Sequence, residues 1–316
     1  MGIVVVGSAL IDISIKNTND FRLINKNLKK YISIAYGSKI ETNYMELNIG
    51  GSGRNVAINL SKLGHRVSFV GKVGCDSFGN QILSDFKKEG VDIRNLKVVK
   101  DGKTGFSIVF FAPDGERSIV VYKGRNLDLN AKEIPEQTLR TSQWFIFTSI
   151  TSKGSLKFLS EALKIAKKNG VKIFANPSMT MIRARKKELL QFIKKSDMVV
   201  MNEEEIRELT GTKNVILSMK RLNKLGISLV VTTSGAKGAL VYDGTKFYRH
   251  RSYRIKIKDT TGCGDSFTAG FLHYILKKKS IPEALEFANA NGALQCQKVG
   301  SQALPEKEIL NFISKQ

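Results

Sequence analysis

Short runs of apolar, β-branched residues alternate along the chain with stretches whose apolar positions recur every three or four residues. The runs IVVV (3–6), VSFV (67–70), WFIFT (144–148), VKIFA (171–175), MVVM (198–201), LVVTT (229–233) and ALVY (239–242) predict strands. Between them, SLKFLSEALKIAKKNG puts Leu156, Leu159, Leu163, Ile165 and Ala166 on one helical face, and Gly170 stands where a helix stops. NVAINLSKLG and VILSMKRLNKLG repeat the pattern, each ending in glycine. Strand, helix, strand units in this order predict an α/β fold with a doubly wound, mostly parallel sheet flanked by helices.

Two regions break the rhythm. Residues 13–49 are polar with scattered β-branched and aromatic residues, and TGFSIVFFAPDGERSIVVY (104–122) reads as two strands joined by a Pro-Asp-Gly turn. Both are assigned to one small β-sheet. Residues 1–12, 50–95 and 126–316 then form the core, and residues 13–49 and 96–125 a lid. Ligands of open α/β sheets bind beyond the carboxyl ends of the strands, where such a lid would cover them.

At 316 residues, 42% apolar and 25% charged, the chain matches an ordinary soluble globular protein with a large core. It holds no run of about 18 apolar residues, so no membrane span is expected. The opening MGIVVVGSALIDIS lacks a basic flank and reads as a first strand, not a signal peptide. Cys75, Cys263 and Cys296 are widely spaced, form no CxxC and cannot all pair internally, which suits a reducing cytoplasm. His65, His250 and His273 fall in no metal-ligand spacing, against a zinc site. The net charge of +23 attracts anions such as nucleotides, sugar phosphates and nucleic acid. The lysines are scattered in twos and threes (Lys29 and Lys30, Lys167 and Lys168, Lys186 and Lys187), so a solvated basic surface is expected ahead of a nucleic-acid partner.

Candidate chemistry concentrates in KDTTGCGDSFTAGFLHYILKKK (258–279). Phe267, Phe271, Leu272, Ile275 and Leu276 at helical spacing, with Lys277 to Lys279 at the far end, predict a helix starting near Asp265. Gly262 and Gly264 permit a turn whose N–H groups point at an anion, and the helix N-terminus adds positive potential there. Asp265 is then either a helix cap or a base beside a phosphate cradle. GGSGRNVAINLSKLG (50–64) is either a plain glycine turn into a helix or, through the Asn55 amide that both donates and accepts, a polyol site. Asp12, beyond the carboxyl end of the first strand, is a turn residue or an acceptor for two adjacent hydroxyls. Asn202 and Glu205 in VVMNEEEIREL share a helix start, either as dipole-matched polar residues or as an oxygen shell acting through water on a magnesium–nucleotide complex. Gly235 and Gly238 in VVTTSGAKGALVY make a turn between strands that can also border a nucleotide. Neither GxxxxGK[ST] nor a complete GxGxxG is present.

In order and over most of the chain, these segments resemble the ribokinase-like (PfkB) family of carbohydrate kinases. DTTGCGDSFTAG is similar to the family's C-terminal signature. GGSGRNVA with GKVGCDSFG, NEEE and TSGAKG fall at its sugar-binding, magnesium-linked and nucleotide-binding elements. The resemblance implies a ribokinase-like fold whose β-sheet lid often mediates dimerisation, hence a homodimer. It also implies ATP-dependent, magnesium-requiring phosphorylation of a primary hydroxyl on a sugar or ribonucleoside. By that resemblance Asp265 is the general base, and the backbone of Gly262, Cys263 and Gly264 is the anion hole. Asp12, Gly51 and Asn55 bind the acceptor, and Asn202 and Glu205 act on Mg2+ indirectly. Thr233, Ser234, Gly235, Gly238 and Asn289 border ATP.

The chemistry of Asp265 agrees independently, because phosphoryl transfer needs positioning, charge stabilisation and a carboxylate to take the hydroxyl proton. Cys263 stands where the family commonly has alanine, which implies activity sensitive to thiol reagents. Asn176 stands where relatives usually carry aspartate, which puts a charge-based role there in question. A monovalent cation site near Asp259, known in some relatives, is left open. GGSGRN is similar to pseudouridine kinases, a lean toward nucleosides. Three other readings stay open: a phosphofructokinase-like enzyme acting on a sugar phosphate, a non-catalytic sugar or nucleotide sensor, and a nucleic-acid-associated protein.

Overall fold

The apolar runs become the centre of one broad sheet. The computed structural model describes residues 2–16, 20–26, 29–112, 117–126 and 128–316. The chain opens with β1 (Gly2–Val6), β2 (Leu10–Lys16), a hairpin of β3 (Arg22–Lys26) and β4 (Lys29–Ser33), and β5 (Tyr44–Gly50). Then come α1 (Ser52–Lys62), β6 (Val67–Gly74), α2 (Ser77–Lys88), β7 (Leu96–Val99), β8 (Phe106–Phe111) and β9 (Arg117–Tyr122). After α3 (Glu136–Arg140), the alternation is regular through β10 (Ser142–Phe147), α4 (Lys153–Lys168), β11 (Lys172–Ala175), α5 (Met179–Ile193), β12 (Met198–Asn202) and α6 (Glu203–Thr210). Helix α7 (Val215–Asn223), β13 (Leu229–Thr233), β14 (Ala239–Tyr242) and β15 (Phe247–His250) precede α8 (Cys263–Leu276), α9 (Ile281–Cys296) and α10 (Glu306–Ile313).

The large sheet runs β15-β14-β13-β12-β11-β10-β1-β6-β7. It is parallel from β13 to β7, and β14 and β15 add antiparallel pairs at one edge. Successive residues of β1 are buried on opposite faces, as a covered parallel sheet requires. Val5, Phe69 and Val200 join α1, α8 and α9 in one apolar layer, while Val4, Phe147 and Val199 join α4 to α7 in the other.

The lid is a four-stranded sheet, β5-β2-β8-β9. The sequence expectation that residues 13–49 form one sheet with residues 104–122 needs correction, because β3 and β4 pair only with each other. Asp12 also lies inside β2, paired with Asn48 and Ser107, so the lid sheet begins before it. Strand β7 belongs to the large sheet instead. The Pro-Asp-Gly turn expected at 113–115 lies outside the described residues.

Where β1 ends, the chain passes so close to α1 that two glycines face each other. A Cβ on Gly53 would lie 2.6 Å from Gly7 Cα, and the next amide, Arg54 N–H, donates to Ser8 O at 2.9 Å. Backbone on both sides cannot swing away as a side chain would. Gly53→Ala is therefore expected to lower stability by about 1–3 kcal/mol, read as a lower denaturant midpoint. An unchanged midpoint would show that the two segments separate freely.

Candidate active site

Helix α8 begins at a left-handed Gly262 (φ 75°), against which the Ser301 side chain packs. The first-turn N–H groups of an α-helix have no intrahelical acceptors. At Gly264 an added Cβ would meet nothing within 4 Å, so this turn opens onto free space. Asp265 sits in the same first turn, yet α8 has no side-chain cap. Its Oδ2 instead accepts from Asn55 Nδ2 at 2.8 Å, across 210 residues of sequence. The cap alternative for Asp265 is thus not the bond observed. Burial pushes this carboxyl up to about 7; the Asn55 hydrogen bond opposes the shift, the Glu205 charge adds to it and Arg54 opposes it.

Helix α1 carries Gly51 at its N-cap with φ 97°, where a Cβ would meet Ser8 O at 2.5 Å. One turn on, Asn55 is buried, and its Oδ1 already accepts from Arg54 Nη1 at 3.2 Å. The sequence expectation of an amide free to donate and accept is narrowed accordingly: one lone pair and one N–H are committed within the protein. Asp12 accepts from Ser107 Oγ. Burial raises its pKa, against the pull of that hydrogen bond and of Arg54.

Two adjoining cavities meet at the start of α8. The larger, about 790 Å3, is lined by Thr233, Gly235, Gly238, Cys263, Gly264 and Asn289. The smaller, about 160 Å3, is lined by Asp265, Gly264, Thr233, Asn202, Glu205 and Asn176. Ser234 and Gly262 shape the adjoining turns without lining either space; Ser234 N–H donates to Gly238 O at 2.8 Å. Asp12, Gly51 and Asn55 also lie outside both linings. Asn202 and Glu205 form a capping box: Glu205 N–H donates to Asn202 Oδ1 at 2.8 Å, and Glu205 Oε2 accepts from Asn202 N–H at 2.9 Å. Glu205 Oε1 accepts from Met179 N–H, and burial raises the pKa of this carboxyl. Asn176 donates to Val200 O at 3.1 Å, a bond that an ionised aspartate could not make.

Cys263 does not stand alone: the antiparallel α8 and α9 bring it against Cys296, Cα to Cα 5.8 Å, near enough for the two to pair, while Cys75 is free and exposed. A 33-residue spacing gives no local sign of this pairing. Sequence reasoning also missed Arg117 of the lid, whose Nη1 donates to Thr260 Oγ1 at 2.7 Å and lies 3.8 Å from Asp259 Oδ1. It missed the basic wall of the larger cavity too, made of Lys237, Arg249, Arg251 and Arg254. The alternation in RHRSYRIKIK was the available signal.

The pfkB family carbohydrate kinase description matches residues 2–308. A ribokinase of Haemophilus influenzae is 32% identical over 91% of this chain and 95% of its own length. A 5-dehydro-2-deoxygluconokinase of Clostridium botulinum is 29% identical over 85% of this chain and 84% of its own. Among solved structures, Arabidopsis thaliana ribokinase complexed with ribose and ATP has a TM-score of 0.82 at 25% identity, covering 99% of this chain and 98% of that one. A candidate ribokinase II from E. coli in complex with ATP and Mg2+ has a TM-score of 0.87 at 22% identity, covering 100% and 99%. The chain belongs to the pfkB family of carbohydrate kinases.

Proposed function

We propose that this carbohydrate kinase transfers a phosphoryl group from ATP, with Mg2+, to a primary hydroxyl of a sugar or ribonucleoside, with Asp265 as general base. The observation that carries this reading is the place of Asp265: a carboxylate with a raised pKa, beside a glycine turn that opens where two cavities meet. The relatives named ribokinase and 5-dehydro-2-deoxygluconokinase support a sugar or sugar-acid acceptor.

The residues present fit the cofactors. The larger cavity joins a basic wall to the start of α8 at Cys263 and Gly264, and the positive end of a helix beside basic side chains suits an anionic nucleotide. The smaller one offers oxygen atoms, suited to a hard cation. A hydrated Mg2+ carried on phosphates would be touched indirectly by Asn202 and Glu205, which line this smaller cavity. A monovalent cation near Asp259 would share a carboxylate that already accepts from Thr261 and Gly300 and faces Arg117.

Bound Mg2+–ATP supplies the phosphoryl group and offsets charge on it. The protein's part is to hold the acceptor hydroxyl, receive its proton on Asp265 and present the Gly262–Gly264 N–H groups to the phosphoryl oxygens. Asp12 and Asn55 orient the acceptor, and the lid excludes water, with Arg117 joining it to the α8 turn.

Turnover of Mg2+–ATP against ribose, fructose, 5-dehydro-2-deoxygluconate, ribonucleosides and sugar phosphates tests this directly. Acceptor-dependent turnover is expected to fall by a factor of about 100 or more in Asp265→Asn; a variant that keeps its rate removes the base assignment. Because Asp265 must be ionised to accept a proton, kcat/KM for the acceptor should decline as pH falls through about 7. A profile flat from pH 8 to 5 would contradict it.

The lid gives a second test. One face of its sheet carries the apolar rows Leu47-Ile13-Ile108-Val120 and Ile49-Ile11-Phe106-Tyr122, which pack onto the core at Ile11 and Phe106 and end exposed at Leu47, Val120 and Tyr122. A second copy of the chain is the proposed cover, since such a face is costly in water. Leu47→Lys with Val120→Lys is expected to convert a dimer to a monomer in sedimentation; a wild-type protein monomeric at assay concentration and above would refute the lid dimer.

A further inference from the structure

Arg54 is buried to 5% exposure, and four of its N–H groups have acceptors on three different segments. Nε and Nη2 grip the Asp85 carboxylate of α2 at 2.8 and 2.9 Å, while Nη1 donates to Asn55 Oδ1 at 3.2 Å and to Ser301 O at 3.1 Å. We propose that Arg54 is a positioning residue for phosphoryl transfer: anchored by Asp85, it fixes the direction of the Asn55 amide and thereby the Asp265 carboxylate. This inference rests on the reading of Asp265 as the base.

The argument is one of donors and acceptors. A guanidinium only donates, so the amide end facing Arg54 must be the oxygen. The other end, Nδ2, then necessarily faces Asp265, whose ionised carboxylate only accepts. A flipped Asn55 would set donor against donor on one side and oxygen against oxygen on the other. An ionised Asp265 asks for the same amide orientation, but a protonated one can donate to the amide oxygen and permits the flip; Arg54 keeps the single orientation in both states. Asp85 makes the arrangement rigid, because its two-pronged grip fixes the plane of the guanidinium. The bond to Ser301 O ties the same guanidinium to the segment that packs against Gly262. A single buried cation therefore braces both the carboxylate and the turn beside it. The rival account is that Arg54 merely ties α1 to α2.

A double-mutant cycle separates the two. Removing Arg54 alone would strand a buried Asp85 carboxylate, so the variant is Arg54→Met with Asp85→Leu, which deletes both charges and favours a folded protein; thermal melting checks the fold. In the wild-type background this pair is expected to lower kcat about 10-fold or more, with KM for ATP unchanged. In an Asn55→Ala background the same pair should lower kcat less than about twofold, because the group it acts through is gone. Arg54→Lys keeps the charge but cannot fork to Asp85 and reach Asn55 together, so it should not restore kcat. Losses that multiply in the cycle, or full activity in Arg54→Lys, overturn the proposal. Failure of the base reading is distinguishable: Asp265→Asn would then keep its turnover whatever the cycle gives.

Discussion

The contact of two backbones at Gly7 and Gly53 is the constraint from which the site follows. It brings the end of β1 against the start of α1 with no side chain between them, and it lets Ser8 O accept from the Arg54 amide. Helix α1 is thereby pinned at its first turn. From there Asn55 reaches Asp265 on α8, and Arg54 reaches Asp85 on α2 and Ser301 beyond α9. Small residues at 7 and 53 are needed because the helix must lie close enough for a side chain as short as asparagine to span the gap.

Much of this was legible in the sequence, and what was not had physical reasons. The strands from IVVV to LVVTT were visible because both faces of a covered parallel sheet are apolar, which leaves runs and not alternation. The start of α8 was visible because left-handed Gly262 and the apolar spacing after it mark a helix boundary; the helix begins two residues before Asp265. The split between the β3–β4 hairpin and the lid sheet was invisible, since pairing partners of short polar strands are chosen by tertiary contacts. The Cys263–Cys296 pair and the Arg117–Thr260 bond were hidden for the same reason: each joins segments whose separation along the chain says nothing of their distance in space. Arg54 was in plain view within GGSGRN, but its partner Asp85 lies 31 residues away on another helix.

The chain's overall charge is a poor guide to the site. A net +23 describes the solvated surface. Around the start of α8 the balance is different: burial raises the proton affinity of Asp12, Glu205 and Asp265, the charges of Glu205 and Asp12 add to it at Asp265, and Arg54 opposes it at Asp12 and Asp265, as Arg117 does at Asp12. Carboxylates held together in this way cannot all remain comfortably ionised. A group pushed up to about 7 by burial can both take and release a proton near neutral pH, which a surface aspartate cannot.

The carboxylates at helix starts also differ in what they have left to give. Asp76 accepts from Gly79 N–H and Thr104, and Glu205 accepts two backbone N–H bonds; both hold the chain, and the proposed contact of Glu205 with hydrated Mg2+ would use its remaining lone pairs. Asp259 is likewise engaged by Thr261 and Gly300. Of these four carboxylates Asp265 accepts from a side chain, Asn55, and not from the N–H groups of its own helix turn. A side-chain cap consumes the positive end of a helix; at α8 no side chain does so, and in the proposed reaction that end and the carboxylate beside it take separate roles within one turn, the one toward the phosphoryl group and the other toward the acceptor proton.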